Sequence, residues 1–232
     1  MIHFHFITLF PEIINAWLTT SIVGRAHRQK IFDFTTYYLR DFTTDKHKTV
    51  DDVAYGGGGG MVLKIEPLAQ ACEVIKNKID STEKVSTIYF SPAGKMLNTP
   101  LLHSLTQPKH FILVCGHYEG VDQRFIDKYV DLEISVGNFI LTGGELPALF
   151  FADAFTRQLK GTFDSESVIH NESFSLKDPD TGLPLLENPH YTRPQEYDGE
   201  EVPEVLLSGN HKNIEKWRIK ASKEKTNSMK EV

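Results

Sequence analysis

Cysteine is nearly missing from this chain of 232 residues, which has only Cys72 and Cys115. Two thiols build neither a disulfide framework nor a zinc site of the usual spacing. A reducing, cytoplasmic setting is therefore expected. Apolar runs long enough to span a bilayer are also missing, so no membrane association is expected. The start, Met1 to Phe6, has no basic segment and no small-residue cleavage site, so no signal peptide is expected. A positive net charge is missing too: 25 Lys and Arg stand against 31 Asp and Glu, a balance of −6. That argues against a generic nucleic-acid coat.

Several signatures of common chemistry are absent. The glycine run Gly56 to Gly60 leads into Met61-Val62-Leu63-Lys64-Ile65, without the Lys-Ser/Thr step of a phosphate-binding P-loop. No dinucleotide fingerprint follows the first strand. His117-Tyr118-Glu119 matches the H-x-E of zinc deaminases, yet no P-C-x-x-C follows. Asp178 to Gly182 lacks the closing glutamate of a calcium-binding EF-hand and reads as a turn. There is no G-x-S-x-G and no H-E-x-x-H. His3 and His5 share a strand face with no third ligand nearby in sequence, so a structural role is expected. No metal site is expected.

What is present is local charge and a regular α/β rhythm. Arg25 to Lys48 holds six basic and three acidic residues, and Asn210 to Val232 seven basic and three acidic. Glu196 to Glu204 holds five acidic residues and no basic ones. Such patches are either solvated helix faces or a means of steering a polyanion onto one side. Residues 2–7 alternate as a strand, with Ile2, Phe4 and Phe6 on one face. Pro11 opens a helix through about Ile22, with Ile13, Ile14, Trp17 and Leu18 as its apolar stripe. Strands are expected at 31–39, 85–90, 111–115 and 132–136, with a short strand-like piece at 139–141. Helices are expected from Glu66, from Thr99 as N-cap, over 121–128 and over 145–160. Strands alternating with helices make a parallel sheet covered on both faces. Periodicity alone draws it as an unknotted, doubly wound sheet.

Composition shifts after Lys160. The chain divides into a domain over 1–160, a flexible linker over 161–175, and a small, mostly helical domain over 176–232. The linker is expected to order only when a partner binds. The last residues, beyond about Lys225, are expected to fray.

Three loops carry the remaining signal. Ser91-Pro92-Ala93-Gly94 and Cys115-Gly116-His117-Tyr118-Glu119-Gly120 each follow an apolar strand, and Glu133 to Pro147 starts as one before turning through glycine. Glycine-marked loops at successive strand ends make a ligand site in α/β proteins. With phosphate-binding signatures missing, a compact nucleoside suits them better than an extended dinucleotide.

These blocks, with Val50-Asp51-Asp52, Tyr55-Gly56-Gly57-Gly58-Gly59-Gly60-Met61, Pro189-His190-Tyr191-Thr192-Arg193-Pro194 and Val205-Leu206-Leu207-Ser208-Gly209-Asn210-His211, resemble the bacterial tRNA (guanine-N1-)-methyltransferases. They run in order across almost the whole chain. The resemblance implies the SPOUT α/β fold, a parallel sheet with a deep trefoil knot, in place of the unknotted drawing. It implies S-adenosyl-L-methionine as methyl donor, tRNA as substrate, and a homodimer whose sites are shared between chains. It implies methylation of N1 of the guanosine 3′-adjacent to the anticodon, which maintains the reading frame. Carried over by position, the cofactor contacts fall on Ser91, Pro92, Gly116, Tyr118, Glu119, Val136, Gly137, Asn138, Phe139, Ile140, Leu141, Gly143, Gly144 and Pro147. The catalytic residues fall on Arg157 and Glu172, with Asp178 and Asp180 as alternatives for the base. Mg²⁺ assistance is a further possibility of the family. A non-catalytic RNA-binding protein of the same fold is the alternative function. Departures from the family pattern are His117 for a frequent arginine, Asn138 for a common aspartate, Gly59 for a frequent proline, Glu172 for aspartate, and Asn188 for cysteine.

Overall fold

The computed structural model describes residues 1–165 and 172–230. The chain folds as two units, Met1–Thr162 and Phe163–Val232.

The first unit is built on a five-stranded sheet in the order β2-β1-β6-β5-β7, with every pairing parallel. The strands are β1 (Ile2–Thr8), β2 (Phe32–Tyr38), β5 (Val85–Met96), β6 (His110–Val114) and β7 (Leu132–Ser135). A separate antiparallel pair, β3 (Asp51–Val53) and β4 (Met61–Leu63), flanks the glycine run. Helices α1 (Pro11–Leu18), α2 (Ser21–Arg28), α3 (Ile65–Asn77), α4 (Thr99–Ser104), α5 (Gln123–Tyr129) and α6 (Glu145–Arg157) complete it.

Strand alternation decides which layer each residue joins. Phe4 and Phe6 of β1, Phe111 and Leu113 of β6, and Ile88 and Phe90 of β5 bury against α1, α2 and α6. Phe111 packs against Phe155 of α6 with ring centroids 4.9 Å apart. Ile7, Ile112, Val114 and Tyr89 point the other way, onto Leu68, Ala71, Cys72 and Ile75 of α3 and Phe125 of α5. Burial pushes the Cys72 thiol up to about 12. His3 and His5 lie on that second side, stacked 4.2 Å apart. His5 Nε2 meets His110 Nδ1 at 3.0 Å, and His110 Nε2 meets Glu83 at 2.7 Å. The structural role expected of the two histidines fits this packed ladder.

Several expectations shift. The single helix expected over 11–22 divides at Thr19-Thr20, because Thr19 closes α1 and Ser21 stands at φ 54 before α2 continues. Asn98, not Thr99, caps α4, accepting from Leu101 N at 2.9 Å. Helix α6 ends at Arg157 instead of residue 160. Thr162, the last residue of the first unit, is buried and donates to Thr156 O at 2.7 Å. No strand forms at 139–141, where the chain is a loop. The linker expected over 161–175 falls partly on 166–171, outside the described residues.

In the second unit, Leu176 and Leu185 pair through the backbone around the turn at Asp178–Gly182. A small hairpin joins β8 (Glu196–Tyr197) to β9 (Glu200–Glu201) through Asp198-Gly199. Both turn residues have positive φ, as a two-residue Asp-Gly turn demands. Helix α7 (Glu204–Leu207) precedes α8 (His211–Lys230). Helix α8 continues to Lys230, past the Lys225 from which fraying is expected. Leu186 N donates to Thr226 Oγ1 at 2.9 Å, and Lys223 Nζ pairs with Asp178 at 2.9 Å and with Asp180, which ties α8 to the preceding extended stretch.

Candidate active site

The strand ends of the first unit converge on one cavity of about 360 Å³. Its walls come from the irregular middle of β5, the loop after β6, and the chain from the end of β7 to α6. This is where ligands enter an open parallel sheet. The size lies at the lower end of the range of about 300–1,000 Å³ usual for small-molecule sites.

The β5–β7 pairing makes the first wall. Phe90 and Lys95 both register with Ile134, so Ser91-Pro92-Ala93-Gly94 loops out between them. Gly94 closes this loop against the neighbouring strand. A Cβ there would sit 2.5 Å from the Ile134 backbone, so only glycine fits. Ser91 Oγ donates to Glu133 at 2.8 Å, which fixes the loop to β7.

The second wall is the turn after β6. Tyr118 stands at φ 60, an uncommon conformation for a large side chain, which marks local strain. Glu119 N donates to Met61 O at 2.9 Å, and a Cβ on Gly60 would strike Glu119. The glycine run is thus held against the cavity loop only at its end. A Cβ placed on any of Gly56 to Gly59 would meet nothing within 4 Å.

The third wall is the chain from Ile134 to Pro147. Gly144 N donates to Gly116 O at 2.8 Å, joining the last two walls. A Cβ on Gly144 would lie 2.6 Å from Gly116 N and 2.7 Å from Cys115 Cα. Two main chains meet here with no room for a side chain. Cys115 is buried, and its thiol is pushed well up, first by burial and then by the charge of Glu145.

The residues expected to contact a cofactor can now be placed. Ser91, Pro92, Gly116, Tyr118, Glu119, Val136, Gly137, Phe139, Ile140, Leu141, Gly143, Gly144 and Pro147 all line this cavity. Asn138 does not; it is exposed, off the cavity wall beside Gly137. Tyr89, Phe90, Gly120, Ile134, Ser135 and Thr142 also line it, beyond the residues expected from sequence. The strand-end rule, applied to the last residues of the strands expected at 85–90 and 132–136, finds four of these. His117 lines it as well, with Nε2 at 2.7 Å from Glu145.

Arg157 lies elsewhere. It closes α6 and borders a smaller hollow of about 220 Å³ with Trp17, Asp153 and Thr162. Pro147 and Arg157 are ten residues apart on α6, which at 1.5 Å per residue is about 15 Å. Asp153, one turn before Arg157, has its carboxyl raised by burial, against the opposing pull of the Arg157 charge. Glu172 is half-buried, and its carbonyl accepts from Ser175 N and Leu176 N in the second unit. The alternative bases are committed: Lys223 grips Asp178 and Asp180 and holds the Asp178 carboxyl below its ordinary value. Among the described residues, no cluster of His, Cys, Asp and Glu could hold a metal ion, and no helix is long and apolar enough to cross a membrane.

Comparison with known proteins narrows this geometry. The family model for tRNA (guanine-1)-methyltransferase TrmD matches residues 2–231. The tRNA (guanine-N(1)-)-methyltransferase of Ruminiclostridium cellulolyticum is 45% identical over 223 residues, 96% of this chain and 92% of that protein. Its counterpart from Treponema denticola is 47% identical over 223 residues, 96% and 86% of the two chains. The crystal structure of the tRNA (m1G37) methyltransferase from Aquifex aeolicus matches with a TM-score of 0.79 at 36% identity, covering 100% of this chain and 94% of that one. With a matching family model over nearly its full length, relatives near 45% identity, and a parallel α/β sheet with the same overall course, this chain belongs to the tRNA (guanine-N1)-methyltransferase family.

Proposed function

We propose that the protein transfers a methyl group from S-adenosyl-L-methionine to N1 of the guanosine 3′-adjacent to the anticodon of tRNA, and so maintains the reading frame. The observation that carries this reading is the convergence of three strand-end loops on one cavity with glycines at its closest approaches. The walls suit a nucleoside-like ligand: Phe139, Ile140, Leu141 and Pro147 offer apolar surface, while loop amides and Ser91 offer polar contacts. When bound, the cofactor supplies an electrophilic methyl group on a sulfonium, so no metal is required for the transfer itself. Mg²⁺ assistance is carried over only from the family. The cavity walls would hold and align the methyl group, and the chain's remaining task is the guanine.

N1 of guanine carries a proton and becomes nucleophilic only when that proton leaves. In this reading Glu172 accepts it, and Arg157 stabilises the negative charge that builds up on O6. Methyl transfer needs reacting atoms about 3–3.5 Å apart. Arg157 stands about 15 Å along α6 from Pro147 at the cavity edge, and in this reading a second copy supplies the arginine that serves each cavity. An exposed apolar face supports such a dimer. Ile13 and Trp17 on α1, and Leu146 and Phe150 on the neighbouring α6, are each two-fifths to one-half exposed. Large apolar side chains left exposed on neighbouring helices suit an interaction surface. A homodimer sharing its sites, a deep trefoil knot in the strand-end loops, and a cytoplasmic location complete the reading.

The second unit contributes tRNA binding in this proposal, with 161–175 as the linker. Lys212, Lys216 and Lys220 recur every fourth residue on one face of α8, a row suited to phosphates. Incubation with labelled S-adenosyl-L-methionine and an unmodified tRNA transcript tests the function directly. Label should appear on N1 of the guanosine after the anticodon. No incorporation, with cofactor binding intact, would favour the non-catalytic RNA-binding alternative.

A further inference from the structure

The carboxylate of Glu145 is buried behind the cavity at the first position of α6, only 4% exposed. Both of its oxygens are used. Thr8 Oγ1, at the end of β1, donates to Oε1 at 2.6 Å. His117 Nε2, in the loop after β6, lies 2.7 Å from Oε2. Since a carboxylate only accepts, Nε2 of His117 carries the proton in that bond. Thr8 is itself fully buried, and its hydroxyl accepts from Phe10 N at 2.9 Å. The phenyl ring of Phe10 then packs 5.1 Å from the His117 ring.

One carboxylate therefore joins the ends of β1 and β6 to the helix that follows β7. Of its members, only His117 lines the cavity. The fit is close on the cavity side. A Cβ on Gly143 would lie 2.4 Å from the His117 ring and 2.8 Å from Glu145 Oε2. Any rotation of His117 moves a cavity wall against the Gly143-Gly144 segment. The joint also carries high stakes, because a buried acceptor left without its donor costs its full desolvation.

We infer that Thr8, Glu145 and His117 form a positioning network that sets affinity for the nucleoside ligand from behind the cavity, with Thr8 acting on a ligand it never touches. The inference rests on reading the cavity as the S-adenosyl-L-methionine site. None of the three is a catalytic residue here; Thr8 and Glu145 act through the placement of His117 and the glycine segment.

Titration calorimetry of the full chain with S-adenosyl-L-methionine tests it. Thr8→Val keeps the shape and removes the hydroxyl, and should weaken binding by about tenfold, the usual scale for a lost hydrogen bond to a charged group. Thr8→Ser restores the hydroxyl and should recover most of that loss. In turnover assays the change should fall on the KM for the cofactor and leave kcat close to the parent's. Thr8→Val combined with His117→Leu should lose less than the product of the single losses, because both cut one network. Should Thr8→Val fail to fold, Glu145→Gln carries the same expectation. Parent-like binding by the variant, or losses that simply multiply, overturns the network. If the parent itself shows no binding isotherm, the cofactor reading falls and takes this inference with it, an outcome distinguishable from failure of the network alone.

Discussion

Gly144→Ala tests the strand-end arrangement most sharply. The new methyl group would sit 2.6 Å from Gly116 N and 2.7 Å from Cys115 Cα. Comfortable contact between such atoms begins near ~3.5 Å, so the overlap approaches an ångström. Both obstacles are main chain, so no side-chain rotation relieves it. The loop after β6 must move away from the start of α6, which stretches the 2.8 Å bond from Gly144 N to Gly116 O. Overpacking of a filled site costs about 1–3 kcal/mol. Each kcal/mol lowers the melting temperature by about 2–4 °C in a protein of this size. The expected drop is therefore roughly 2–12 °C by differential scanning fluorimetry. Because Gly116 and Gly144 both face the cavity, S-adenosyl-L-methionine affinity should fall with it, by tenfold or so on the same energy scale. Gly59→Ala is the control. A methyl group there meets nothing within 4 Å, and the backbone conformation is ordinary, so stability should change by less than about 0.5 kcal/mol. A Gly144→Ala protein that melts and binds like the parent refutes the close approach of these two segments.

Three other outcomes are expected. Arg157→Ala should lower kcat by roughly 10²–10³ with cofactor affinity unchanged, and Glu172→Gln by roughly 10²–10⁴; a Glu172→Gln enzyme as fast as the parent removes that residue as the base. Affinity for tRNA should fall linearly in log–log plots against salt, and Lys212→Glu with Lys216→Glu should flatten the slope by about one unit per lost phosphate contact. Burial lowers the His5 imidazole to about 3, with His3 and His110 adding to the effect. The unfolded chain therefore takes up a proton below its ordinary pKa near 6.5 while the folded chain does not. Stability from His5 is complete above that value and is lost progressively on acidification, so the melting temperature should fall from about pH 6.5 down to about pH 3. His5→Gln should weaken that dependence; an unchanged profile would assign it to other groups.

The sequence carries much of this architecture in its periodicity. Alternation in β1 puts Phe4 and Phe6 on one side, and the apolar run Phe111 to Val114 marks a strand buried on both faces. The cavity is legible for a related reason: ligand sites follow strand ends, and glycines mark where chains approach. Four features escape such reading. The break at Thr19-Thr20 depends on one residue, Ser21, in a left-handed conformation. Asn138 lies among cavity residues in sequence, yet the loop leaves it off the cavity wall. The bond from Thr8 to Glu145 spans 137 positions, which no local pattern announces. That Arg157 borders a separate hollow with Trp17 and Thr162 depends on how α1 and α6 pack, and in the proposed mechanism it turns the site from a property of one chain into one of two.

The two buried thiols have a practical consequence. Only the thiolate reacts with alkylating reagents, and both sulfurs are sealed in and held in the neutral form. Cys72 lies in the α3 layer and Cys115 at the crossing of the β6 loop with the start of α6. Modification of Cys115 therefore requires that crossing to part. Its labelling rate is a built-in clock for loop opening, readable in the natural sequence once Cys72 is replaced. A ligand that closes the loops will slow the clock, and the degree of slowing reports how tightly it holds them shut.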